Sequence, residues 1–428
     1  MSRGRLGRRA GAAPLMWLLV WFVLTRLGVG WLLSSPAGER QRRLGGLGNA
    51  EFSQLVTMWD GQWYARIASY GYPLPLPLDE FGAVEQSEWA FFPLFPLLVR
   101  VVMAFGLPFW VAALTVNLAA SATAAWLAYR LFAARGGASA SDRDRDDRHD
   151  RDRAGRHRKA AAVAVGLWLL YPASTVLQIA YTEALALVLV LAALTMIHRQ
   201  RYGIAVVLVL VLGFARAVAA PLAFVVVVHL VIRWRRERRE PTEGHPAGHA
   251  RAWWFSGLAL LGASVVAGAA WPVLVGWLTG RPDAFLAVQA TWGQRPDRGP
   301  FLPWWGWLSW EYGTPVALAW AVGLVVVCAS MLTRYAAWMP LELRAWGLVY
   351  PLYLFAVTAP STSMIRFLLL DVPVFGVLTA VLIGDPRRGR LRRWWPVGPV
   401  LCLPVLAATV YWWTTVVLVF SPPMDWPP

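Results

Sequence analysis

The chain is short of charge, and shortest of acid. Of its 428 residues 15% are charged, where a soluble domain carries about 25%. Only 24 are Asp or Glu, against 40 Lys or Arg, while 58% are hydrophobic. That balance excludes an ordinary soluble globular protein. Cysteine is nearly absent. Cys328 and Cys402 both sit in apolar runs, so no disulfide framework is readable and the redox compartment stays open. No Walker loop, Gly-rich dinucleotide fingerprint or zincin motif occurs, and no soluble nucleotide-sugar domain can be delimited. The histidines show no metal-ligand spacing. Strict polar–apolar alternation is missing, which argues against a β-barrel, and no internal repeat of the inverted-transporter kind is visible.

What the chain does have is apolar runs near 20 residues, recurring along its whole length, the mark of a polytopic helical membrane protein. The runs cover 14–33, 109–132, 160–179, 181–198, 203–232, 252–278, 316–333, 345–360, 366–384 and 396–419. The first follows Arg3, Arg5, Arg8 and Arg9, is long for a signal-peptide core, and reads as a retained helix. The net charge of +16 does not indicate nucleic acid. The N-terminal tail and the loops 133–159, 199–201, 233–251, 334–344 and 385–393 hold 28 of the 40 Lys and Arg, as the positive-inside bias produces. All six fall on one side only if 203–232, with Gly213, Arg216 and Pro221 in its middle, turns back near Arg216. This predicts about 11 crossings, a cytoplasmic N-terminus and an external C-terminus. The segment 90–107, with two prolines in six residues, is then not a span. Residues 35–108 become one large external loop, and 51–70 an interfacial helix with Trp59, Trp63 and Ile67 on one face. The mixed-charge run within 136–159 reads as a disordered cytoplasmic linker, and Asp142-Arg143-Asp144 inside it as solvated rather than functional.

Charges within or bordering a membrane are functional candidates by default. Here they are Arg26, Asp60, Arg66, Glu183, Arg216, Arg366 and Asp371. Asp60, in Trp59-Asp60-Gly61-Gln62-Trp63-Tyr64, can act as a general base toward an acceptor hydroxyl. It can equally cap a turn at Gly61 or pair with Arg66. Glu183 can bind a sugar hydroxyl or a cation, or can complement the dipole of a helix beginning at Thr182. Arg216 requires a polar cavity, an anion, Glu183 or backbone carbonyls. Arg366 follows Ser361-Thr362-Ser363 and can hold a lipid phosphate with paired hydrogen bonds, or simply snorkel. Asp371 lies about a turn deeper as its potential partner.

The ordered set Trp59-Asp60-Gly61 with Trp63-Tyr64, Gly71-Tyr72-Pro73, Phe91-Phe92-Pro93-Leu94-Phe95-Pro96, Tyr171-Pro172-Ala173-Ser174, Tyr181-Thr182-Glu183, Ala215-Arg216 and Arg366-Phe367 resembles the PIG-V-type mannosyltransferases. These belong, with bacterial relatives, to the GT-C glycosyltransferase superfamily. The likeness covers roughly 50–230 well and the C-terminal half loosely. Departures are Ala184 for a family Ser, Arg216-Ala217-Val218-Ala219 for Arg-Pro-Thr-Gly, and Phe367 for a Tyr.

Apolar runs and loop charge together give an all-α membrane protein of about 11 transmembrane helices; the resemblance makes it GT-C-like, at the plasma membrane, and implies an extracytoplasmic active site. It implies a polyprenyl-phosphate sugar donor, usually mannose, and inverting transfer. Asp60 would be the catalytic residue. Trp59, Trp63, Tyr64, Arg66, Glu183, Arg216 and Arg366 are the candidate donor- and acceptor-binding residues. The acceptor would be a glycolipid, an envelope glycan or a protein hydroxyl. No metal ligand is assigned, although some members of the superfamily use a divalent cation. The rival readings are a transporter or lipid flippase, and a non-catalytic scaffold subunit.

Overall fold

The computed structural model describes residues 3–45, 50–134, 147–239, 247–294, 298–388, 391 and 394–421. Among them the protein is all-helical. The chain opens with α1 (Arg3–Leu32), which runs through a π-turn into α2 (Gly38–Leu44), followed by α3 (Phe52–Val56), α4 (Asp60–Tyr70) and α5 (Leu94–Met103). Next come α6 (Phe109–Ala133), α7 (Asp147–Trp168), α8 (Glu183–His198), α9 (Tyr202–Leu212) and α10 (Ala220–Arg239). The remainder is α11 (Ala247–Thr279), α12 (Ala284–Thr291), α13 (Leu302–Tyr312), α14 (Thr314–Ser330), α15 (Leu341–Val357), α16 (Met364–Phe367), α17 (Pro373–Ile383) and α18 (Val397–Trp412).

Four helical stretches are long and apolar enough to cross a membrane: Ala13–Leu44, Phe109–Ala133, Trp253–Thr279 and Val397–Val417. A fifth arises if Met364–Leu370 and Pro373–Ile383, bent by 76°, count as one broken span. Several expected spans are shorter than a crossing requires. The apolar run 160–179 stops being α-helical at Trp168, and α8 has 16 residues. A 16-residue helix reaches about 24 Å, against a hydrocarbon thickness of about 30 Å.

The centre is built from small residues. Ala112, Ala113, Ala120, Ala124, Ala125 and Ala128 of α6 are buried and allow α7 and α8 to approach closely, the usual device of membrane bundles. At one end of the bundle a polar network ties four helices together. Oε1 and Oε2 of Glu342, at the start of α15, lie 2.7 Å from Nδ1 of His229 (α10) and 3.0 Å from Nδ1 of His198 (α8). His229 Nε2 is 2.9 Å from the hydroxyl of Tyr202, the first residue of α9. Tyr202 beside His229 makes α9 and α10 antiparallel, so the run 203–232 does turn back on itself, through 213–219.

Irregular backbone inside the bundle is held by side chains brought from elsewhere. Arg26 of α1 donates to the carbonyls of Ser174 (2.7 Å) and Leu169 (3.3 Å). Asn117 of α6 donates to those of Ile179 and Tyr181. The broken segment around α16 is supported by four aromatic donors: Tyr171 to Ile365 (2.8 Å), Tyr350 to Phe367 (2.8 Å), Trp168 to Leu369 (3.0 Å) and Trp346 to Leu370 (3.0 Å). Non-helical backbone at membrane depth is tolerated only where the protein itself satisfies it.

Two expectations need correction. The segment 51–70 is not one helix. It is α3 and α4, separated at Trp59, whose backbone adopts φ +57°, because the chain must turn there to aim Asp60 inward. The linker 136–159 is helical from Asp147 onward, where α7 begins. Opposite charges four residues apart, as in Asp152 and Arg156, support a helix where composition alone suggested none. Residues 135–146, with Asp142-Arg143-Asp144, lie outside the described residues. The segment 90–107 contains only the ten-residue α5 and no span, as its prolines predict.

Candidate active site

Four charged residues far apart in sequence meet at the end of the bundle opposite Glu342. Nη1 of Arg366 lies 2.6 Å from Oδ2 of Asp60 and 3.1 Å from Oε1 of Glu183. Nη1 of Arg216 lies 2.9 Å from the same Glu183 oxygen and donates to the Thr182 hydroxyl at 2.9 Å. Two guanidinium groups and two carboxylates thus form one chain with no formal net charge. Glu183 is fully buried and Arg366 nearly so, whereas the side chain of Asp60 retains 16% exposure and that of Arg216 14%. The open edge of the network is therefore Asp60 and Arg216.

Each member stands at a helix break. Asp60 and Glu183 are the first residues of α4 and α8, so each carboxylate faces the positive end of a helix dipole. Arg216 occupies the turn between α9 and α10, and Arg366 lies in α16. Gly61 explains how the first loop reaches the bundle. A Cβ there would lie 3.3 Å from the Cβ of Ala180, and the Ala180 N–H donates to the Val56 carbonyl at 2.9 Å. Trp59 anchors the same turn by donating to the Leu418 carbonyl at 2.7 Å and packing on Phe420.

Aromatic rings line the network. Both guanidinium carbons sit over the Phe367 ring, Arg216 at 4.6 Å and Arg366 at 4.9 Å. Arg366 also stacks on Tyr181 at 4.8 Å, in the cation–π range. The Tyr64 hydroxyl is 3.5 Å from the Thr182 hydroxyl. Burial pushes the Tyr64 phenol above its ordinary value, and the nearby Asp60 carboxylate adds to the effect. Among the described residues two buried atoms here have no hydrogen-bond partner, Glu183 Oε2 and Arg366 Nε.

The candidates divide into two groups. Asp60, Tyr64, Glu183, Arg216 and Arg366 converge. Trp63 and Arg66 lie on another face of α4. Trp63 stacks on Phe91 and abuts Trp292, and Arg66 covers Trp63 at 4.8 Å and pairs with Glu88 at 3.9 Å. Asp60 therefore pairs with Arg366 and not with Arg66. A cavity of about 320 Å³ opens beside Arg66, bounded by Tyr70, Tyr72 and Glu88. Arg366 is an enclosed ion-pair residue and does not snorkel. Its partners are Asp60, Glu183 and Ser363, not Asp371, which is buried with Oδ1 unpartnered.

Sequence reasoning missed Thr182 as the hydroxyl under Arg216 and Asn117 as the support of the 179–181 turn. The only signal for either was a polar residue in an apolar run. Among the described residues no group of three or more His, Cys, Asp and Glu is arranged to hold a metal ion. A cation here would have to take Asp60 and Glu183 from their arginines. No protein-family model matches the sequence, and no curated protein matches it.

Proposed function

We propose that this chain is an integral-membrane glycosyltransferase of the GT-C type, transferring a sugar, mannose by its resemblance, from a polyprenyl-phosphate donor to an acceptor hydroxyl. The observation that carries the reading is the contact between Asp60 and Arg366, beside Glu183 and Arg216. It puts a part-exposed carboxylate and two guanidinium groups, of the kind that suits a phosphate, within one hydrogen-bonded chain. We place this end of the bundle on the extracytoplasmic side, with about 11 crossings and the Arg-rich loops on the other side.

In this mechanism the donor phosphate enters along the open edge and takes hydrogen bonds from Arg366 and Arg216. Guanidinium suits that task by offering paired donors. The phosphate displaces Asp60 from Arg366 Nη1 and frees the carboxylate. The acceptor oxygen attacks the anomeric carbon from the face opposite the phosphate, with inversion. The bond from anomeric carbon to phosphate oxygen breaks, the electron pair leaves with the lipid phosphate, and Asp60 takes the hydroxyl proton. The arginines stabilise the charge developing on the leaving group. The cavity at Arg66, Tyr70 and Tyr72 lies further along α4 and suits the remainder of a glycan, a glycolipid or a protein acceptor.

The test is transfer from radiolabelled polyprenyl-phosphate-mannose in membranes, with and without a chelator. Asp60→Asn should lower the rate by about 10²-fold or more, the range that general bases contribute. Near-normal turnover by the Asp60→Asn variant at equal expression would exclude the base assignment, and an inactive wild type would leave the scaffold reading.

One observation favours a second reading. The 76° break between α16 and α17, with Asp371 buried at the break and its Oδ1 without a hydrogen-bond partner among the described residues, is the kind of discontinuous helix that transporters use. A flippase would move the labelled donor across sealed vesicles with its sugar still attached. Movement without transfer would support that reading.

A further inference from the structure

The end of the molecule remote from Asp60 carries a groove that the proposed chemistry does not use. It runs between α1, α7 and α18 and encloses about 430 Å³. Trp17, Trp21, Gly166, Trp395 and Leu403 line it, and Lys159 stands at its mouth. Its shape is specific. Trp17 and Trp21 stack at 5.8 Å with planes 7° apart, and the Trp21 indole N–H donates to the Gly166 carbonyl at 2.9 Å. A Cβ on Gly166 would come within 3.0 Å of the Trp17 ring, so the absence of a side chain there is what lets the rings lie flat. The groove opens on a lipid-facing surface: Met16 and Leu19 of α1 and Val400 and Leu401 of α18 are each more than half exposed.

Among the described residues that line it, one is charged. Lys159 is the only lysine of the chain, against 39 arginines. It is exposed, its Nζ lies 5.9 Å from the Trp395 ring, and among the described residues it has no carboxylate partner. Arg156, a turn earlier on α7, is engaged with the Pro386 carbonyl. An apolar trough closed by a single ammonium is complementary to an apolar tail ending in a single negative charge. Lysine serves as a mobile point charge where geometry need not be bidentate, and tryptophan favours the headgroup level of a bilayer.

We propose that this groove holds one acidic phospholipid of the adjoining leaflet, with an acyl chain along the tryptophan floor and its phosphate on Lys159. This does not depend on the glycosyltransferase reading.

The lone lysine makes the test direct. Full-length protein is placed in nanodiscs of phosphatidylcholine, or of phosphatidylcholine with phosphatidylglycerol, and treated with an amine-acetylating reagent. Peptide mass spectrometry then reads acetylation at Lys159 and at the N-terminal amine. Phosphatidylglycerol should slow acetylation of Lys159 about fivefold, the scale of one lysine on an anionic lipid surface, and leave the N-terminal amine much less affected. In detergent, wild type should retain one phosphatidylglycerol by native mass spectrometry, and Lys159→Ala should lose it. Equal slowing at both amines would mean a general surface effect, and unchanged labelling of Lys159 would mean no contact. Equal protection by glycerol phosphate in detergent would mean an anion site without the groove. Each of these, or equal lipid retention by Lys159→Ala, overturns the proposal.

Discussion

Arg366 is where removing a side chain and removing a function are hardest to separate. Its guanidinium is shared by Asp60 and Glu183 and is almost wholly enclosed. Truncating one partner of a buried ion pair leaves an uncompensated charge, at a cost of about 3–5 kcal/mol. Arg366→Ala should therefore lower thermal stability as well as activity. Arg366→Lys keeps the charge but not the fork, since an ammonium cannot reproduce the planar set of donors. It should stay folded and transfer slowly, with apparent donor affinity and maximal rate both reduced. Purified Arg366→Lys with wild-type values for both would remove Arg366 from the phosphate site and leave Arg216 as the candidate. The Phe367 ring that carries both guanidinium groups gives the pair a common platform, so displacement of one arginine should be felt by the other.

At the scale of elements, the site depends on interruptions. α4 and α8 begin at the carboxylates Asp60 and Glu183, α9 and α10 part at Arg216, and α16 is severed from α17. What keeps the last break in register is the set of Tyr and Trp donors on the carbonyls of 365–370. Trp346→Phe preserves the bulk and removes one donor, leaving the Leu370 carbonyl unpaired at a cost of about 1–3 kcal/mol. The variant should melt earlier and turn over more slowly although Trp346 does not touch the charged network. Thermal unfolding and initial rates on one preparation would check both, and unchanged values for each would show that the break needs no such support. This is also where legibility ends. Helical class, the return of the chain near Arg216 and the identities of the charged residues could be read from apolar runs, loop charge and rare polar positions. The contact of Asp60 with Arg366 could not, because nothing local to either residue encodes a partner 306 positions away. The division at Trp59 was hidden too, since a tryptophan gives no warning of a positive φ, and nothing in the apolar runs marks Trp168 or Trp346 as a backbone donor.

For the molecule as a whole, the question is which way it faces. The charged network and the Glu342 cluster mark opposite ends, joined by α8. On the proposed topology the positive-inside bias would put the Glu342 end in the cytoplasm, since the basic residues of 199–201, 233–239 and 334–344 lie towards it. Single cysteines in a Cys328→Ala, Cys402→Ala background would decide. Phe81→Cys, at a site 86% exposed in the first loop, should react with an impermeant maleimide on intact cells, and Arg236→Cys only after lysis. The reverse pattern would invert the topology and place the Asp60 site in the cytoplasm. Ser87, in the same first loop, is unsuitable for labelling because it is 1% exposed.

The 2.6 Å contact between Asp60 and Arg366 bears on how a cycle would finish. In the proposed reaction the carboxylate and a lipid phosphate would contend for the same guanidinium nitrogen. Once Asp60 has passed its proton to solvent it becomes an anion again, able to push the spent carrier off Arg366. The base would then double as an ejector, and an enzyme without it would be clogged as well as slow. Asp60→Asn, the variant expected to lose catalysis, should therefore bind polyprenyl phosphate more tightly than wild type. A hydrogen bond to a charged group is worth about 1.5–3 kcal/mol, so the gain should be about tenfold or more. Titration of purified protein with the carrier lipid would measure it. Equal or weaker binding by the Asn variant would mean that release is governed elsewhere.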